Sequence, residues 1–177
     1  MTRSRHTHLL TFDGIDVMSV PPGTDDYQFS MPLHNFDGQR PWSLCLEPLA
    51  PGDSYAARVE QGRGSTEYLQ AAGRADAMTI ELRKPGGQQW GVEWVRYTVG
   101  HPHTAPAPLD VEIPTPHVPP APIRISAAEV FDADEATALF LAYYRTGTIP
   151  DEYTLRPVQG FTADGEVIDL HGVTDTA

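Results

Sequence analysis

Residues 8–12 and 15–20 carry strand-like hydrophobic patterns on either side of Asp13-Gly14. They predict a β-hairpin, because Asp-Gly supplies the positive φ angles of a two-residue turn. From Thr24 to Arg40 the chain is polar and interrupted by Pro32 and Gly38, and the alternation of Tyr27, Phe29, Met31 and Leu33 predicts a short edge strand. Residues 42–46 read as a further strand, closed by Pro48 and Pro51. Between Asp53 and Gly73 the pattern turns helical, with a first piece over 54–60 and a firmer second piece over 65–72, capped by Ser65 and stopped by Gly73. Residues 78–83 alternate, Pro85-Gly86-Gly87 turns, and residues 89–99 return as an aromatic strand with Trp90, Trp94 and Tyr97. This second hairpin is expected at the centre of a sheet.

The last third is the most explicit. Asp132 is placed to cap a helix and Glu135 to reach back to it as in a capping box, with Asp134 favoured beside them at the positive end of the helix dipole. Ala136, Leu139, Phe140 and Tyr143 share one face, Gly147 stops the helix and Pro150 prevents its return. Strands over 154–161 and 166–170 follow, joined through Thr162-Ala163-Asp164-Gly165. Eight of the seventeen prolines fall between Gly100 and Pro122, which predicts a surface connector rather than helix or interior strand, with an edge strand allowed over 109–113. The whole predicts a single α+β domain over residues 1–177, with a mainly antiparallel sheet of hairpins and two or three helices.

Charge narrows the partners. Twelve basic against twenty-four acidic residues give a net charge of −12, which disfavours a sequence-independent grip on nucleic acid and favours a basic protein partner. The single cysteine, Cys45, sits among apolar neighbours, so an intrachain disulfide and a thiolate metal cage are both excluded. Residues 1–10 include Arg3 and Arg5 without an apolar signal segment, and no run has the length of a membrane span, so a cytoplasmic protein off the membrane is expected.

Candidate chemistry is sparse. His6 with His8 and His101 with His103 have the i, i+2 spacing of a strand-borne metal pair, but no third ligand follows at a useful distance, and neither metal nor cofactor is expected. No nucleophile elbow, phosphate loop or dinucleotide fingerprint occurs, and the carboxylates at Asp132, Glu135 and Asp164 have capping or turn roles, so an enzyme is not expected. Trp90, Trp94 and Tyr97 read as core rather than as an exposed stacking platform.

Residues 139–150, Leu-Phe-Leu-Ala-Tyr-Tyr-Arg-Thr-Gly-Thr-Ile-Pro, followed by Tyr153-Thr154-Leu155-Arg156, resemble the closing segment of the immunity proteins of bacterial polymorphic toxin systems. The Trp-Gly-Val-Glu-Trp run at 90–94 is similar too. Within that family the likeness in character is to the mycobacterial type that neutralises a secreted necrotizing toxin, an NAD glycohydrolase. The resemblance implies a cytoplasmic antitoxin that binds a cognate toxin domain and occludes its active site. The loop Gln61, Gly62, Arg63 and Gly64 is then the expected plug, presenting an exposed guanidinium, and Asp25 and Asp26 are a second expected contact. The alternative is a small-molecule enzyme or ligand-binding domain with a cleft near the strand from Trp90 to Tyr97.

Overall fold

A computed structural model describes residues 6–103, 107–117 and 121–173; parts of the proline-rich connector therefore lie outside the described residues, as do Arg3 and Arg5. The hairpin of β1 (His8–Phe12) and β2 (Asp16–Val20) is followed by α1 (Tyr27–His34), β3 (Ser43–Pro48) and α2 (Tyr55–Glu60). Next come β4 (Tyr68–Arg74), β5 (Ala77–Pro85) and β6 (Trp94–Gly100), then β7 (Val111–Ile113) and β8 (Ile123–Ile125), and finally α3 (Ala133–Thr146), β9 (Thr154–Phe161) and β10 (Val167–Asp169). Eight strands form one antiparallel sheet in the order β10-β9-β6-β5-β4-β3-β1-β2, while β7 and β8 pair only with each other. The fold is α+β, as its pattern predicts.

Strand alternation sends one set of side chains toward α1 and α3. Leu10, Leu44, Leu46, Leu69, Ala71, Ile80, Leu82 and Val99 form that face of the sheet, and Phe29 and Leu33 of α1 and Leu139, Phe140 and Tyr143 of α3 close over it. Each fully covered Leu or Phe of this layer stabilises the fold by roughly 1.5–3 kcal/mol. Residues on both sides of the connector enter this one core. A smaller cluster of Val92, Val95, Tyr97 and Leu170 fills the far end beneath β9, where Gly160 lets the backbone pass so close to Val92 that an added Cβ would lie 2.7 Å from its methyl.

Five expectations are corrected. Residues 27–34 are helix α1, not an edge strand, because Phe29 and Leu33, four apart, meet α3 as one buried stripe. Residues 68–74 are strand β4, not the predicted helix over 65–72; lodged between β3 and β5, the segment exchanges its intrinsic helix preference for two ladders of backbone hydrogen bonds. The first turn has three residues, Asp13, Gly14 and Ile15, since Phe12 pairs with Asp16; Asp13 and Gly14 do adopt positive φ. Of the strand predicted over 89–99, residues Gln88–Trp90 form a 3-10 turn and the ladder begins only at Trp94. Asp132 caps α3 by accepting from the Glu135 N–H, but the Glu135 side chain turns away toward His101.

Candidate functional site

Two regions on the sheet face away from α1 and α3 gather the unusual chemistry. The first is α2 and the loop after it. Ser54 caps the helix, its hydroxyl accepting from the Ala57 N–H at 3.2 Å. No α2 side chain is buried, so packing of an apolar stripe does not hold the helix in place. Arg58 does: its Nη1 donates to Glu47 Oε2 at 2.9 Å, its Nε to Asp53 Oδ2 at 3.2 Å and its Nη2 to the Pro48 carbonyl at 2.6 Å. Outward, Tyr55 and Val59 stand one helical turn apart and are 47% and 61% exposed. Beneath them a cavity of about 120 Å³ is bordered by Leu9, Thr11 and Val17.

Gln61, Gly62, Arg63 and Gly64 are all exposed, continuing this ridge. The guanidinium of Arg63 is not free, however. It folds back on Asp53, with Nη2 2.9 Å from Oδ1 and Nη1 3.2 Å from Oδ2. Arg63 foremost, then the Ser54 N–H and Arg58, holds the Asp53 carboxyl below its ordinary range against the opposing effect of desolvation. Asp25 and Asp26 are exposed at the start of α1, which packs on the opposite face of the sheet, so the two predicted contact sets are not brought together. An arginine ten residues from its carboxylate leaves no periodic signal, which is why sequence reasoning assigned Arg63 to a partner and overlooked Arg58.

The second region lies farther along the same face, beside Thr115, His117, Ala121 and Ile123. Glu81 of β5, only 8% exposed, accepts from Arg96 Nη1 of β6 through both oxygens, at 3.0 and 3.3 Å. Desolvation raises the Glu81 carboxyl above its usual range, with Arg96 and then Arg156 opposing. Tyr68, on the same face, is pushed up to about 12, chiefly by burial and then by Glu81. Burial, with Glu47 and Glu81, likewise raises the Cys45 thiol, so the thiolate is scarce at neutral pH. A cavity of about 210 Å³ borders this pair, and Trp42 and His117 meet edge to face at its side, their ring centroids 5.3 Å apart. Arg96 is the contribution of the aromatic strand to the cavity, whereas Tyr97 turns into the smaller core.

The histidines serve local roles. His8 is buried against Tyr144, and burial lowers its pKa to about 4. His103 Nδ1 lies 2.9 Å from the His101 carbonyl. Among the described residues no three His, Cys, Asp or Glu side chains converge as metal ligands, and no helix is long and apolar enough to cross a membrane. No family model matches the chain, and neither a curated protein nor a solved structure matches it.

Proposed function

We propose that this chain is an inhibitory binding protein of the immunity type, which occludes the active site of a cognate toxin domain, with an NAD glycohydrolase as the favoured toxin class. One observation carries the reading. Helix α2 is fixed to the sheet by Arg58 yet presents Tyr55 and Val59 to solvent, directly before an exposed glycine-flanked loop. A rigid ridge with an aromatic anchor binds a partner at a low cost in conformational entropy. The Arg63–Asp53 pair keeps the loop preorganised, and Gly62 and Gly64 let its backbone enter a cleft closely. The charge of −12, to which Asp25 and Asp26 contribute from the other face, speeds encounter with a basic toxin. The resemblance in residues 139–156 and 90–94 points to the same family of inhibitors.

The test is co-purification with the product of a neighbouring toxin gene, with toxin activity measured as the chain is added. Near-stoichiometric binding and inhibition, weakened at least about a hundredfold by Tyr55→Asp with Val59→Asp, are expected. A co-expressed toxin that neither binds nor loses activity refutes the function. Full inhibition by the double variant refutes the ridge alone.

A further inference from the structure

The cavity beside Glu81 is separate from the α2 ridge and carries its own chemistry. Thr79 is 1% exposed and its hydroxyl has no hydrogen-bond partner; Arg96 Nε, also buried, has none either. Both residues line the cavity. Buried polar atoms are paired in almost all native proteins, and two orphans at one void indicate missing polar partners. Nη1 of the same guanidinium donates to Glu81 Oε2 at 3.0 Å, and each Glu81 oxygen retains accepting capacity beyond its one bond. The orphan donor thus belongs to a guanidinium that is itself held against an acceptor. Gln70 adds an amide to the lining, and Trp42 and His117 supply aromatic surface.

We propose that this cavity binds a small planar amide, its carbonyl accepting from Arg96 and Thr79, its N–H donating to Glu81, and its ring lying against Trp42. An amide supplies an acceptor for the donors and a donor for Glu81 together, whereas a carboxylate would meet Glu81 with like charge and a hydrocarbon would leave the Thr79 hydroxyl and Arg96 Nε unpaired. A volume of about 210 Å³ suits a single substituted ring rather than a dinucleotide. The proposal does not depend on the antitoxin function.

Benzamide is the probe, titrated into the full chain while the indole N–H resonance of Trp42, identified by its loss in Trp42→Phe, is followed. A saturable shift with a Kd of roughly 1 mM is expected for so small a ligand, with benzoate at least about tenfold weaker. Ala72→Val, which fills the cavity floor, should abolish the shift; should that variant fail to fold, Ala121→Leu on the exposed rim carries the same expectation. No saturable shift up to about 10 mM benzamide, or a shift unchanged by the cavity-filling variant, overturns the site. Equal binding of benzoate overturns the amide assignment.

Discussion

His101 Nε2 lies 2.8 Å from Glu135 Oε1, while the other ring nitrogen lies 2.8 Å from the Ala128 carbonyl. Both nitrogens therefore face acceptors, and the ring satisfies both only when it carries two protons. His34 repeats the arrangement between the Ser30 carbonyl and Asp134. The first turn of α3 is thus bracketed by two histidines, one from the start of the connector and one from α1.

This geometry sets a pH dependence. Burial opposes charge on His101, but the bonds to Glu135 and Ala128, with Asp132 nearby, outweigh it and raise its pKa above 6.5. His34 is raised by the Ser30 carbonyl first and then Asp134 and Asp132, against desolvation. A pKa raised on folding means that the protonated state stabilises the fold fully below pH 6.5 and that this contribution is lost as pH rises through the folded value. Urea midpoints measured from about pH 6 to 9 should fall with pH, and His101→Gln should flatten that slope.

The ion pair of Glu129 and Arg156 bridges the 3-10 turn Ala127–Glu129, just before α3, and β9. Arg156 Nε and Nη2 reach the carboxylate at 2.6 and 3.0 Å, and Glu129 Oε2 also accepts from the Ser126 N–H at 2.8 Å. Glu129→Ala leaves a half-buried guanidinium and a buried N–H unpaired. A loss of about 2–4 kcal/mol is expected by chemical denaturation, below the full cost for a wholly buried pair because Arg156 retains some solvent.

Gly160→Ala should cost about 1–3 kcal/mol, since the new methyl would meet both Val92 methyls at 2.7 and 2.9 Å. Combining it with Val92→Ala should recover part of that loss, a coupling that a double-mutant cycle measures directly.

Phe140 is fully buried and contacts the Phe29 ring at a centroid distance of 6.0 Å, where α1 and α3 meet. Phe140→Ala should lower stability by about 3–5 kcal/mol, with a matching fall in thermal midpoint.

Local signals explain what the sequence disclosed. Asp13-Gly14 marked the first hairpin, and Asp132, the apolar face of 136–143 and Gly147 marked α3, because each acts within one turn of chain. Helix α1 escaped because Pro32 lies inside it and Phe29 and Leu33 also fit an alternating pattern; only burial against α3 selects between the two periods. Strand β4 escaped because Leu69, Gln70, Ala71 and Ala72 favour helix intrinsically, and tertiary pairing overrode them. At the candidate sites Glu81 looked like an ordinary outward residue of an alternating strand. Thr115, His117 and Ala121, which border the same cavity, are distant in sequence, as Asp53 is from Arg63.

Strand order also imposes a sequence of assembly. Strands β4 and β5 are joined by a tight turn and β5 and β6 by residues 86–93, whereas β9 reaches β6 only after residues 101–153 have been looped out. Closing that long excursion costs chain entropy before any β6–β9 bond forms, so the meander should nucleate first and the C-terminal strand pair should dock late. Amide protons pulse-labelled during refolding are expected to gain protection between β4 and β5 before those between β6 and β9. The edge carrying β9 and β10 is therefore also the part of the sheet that remains open longest in a newly folding chain.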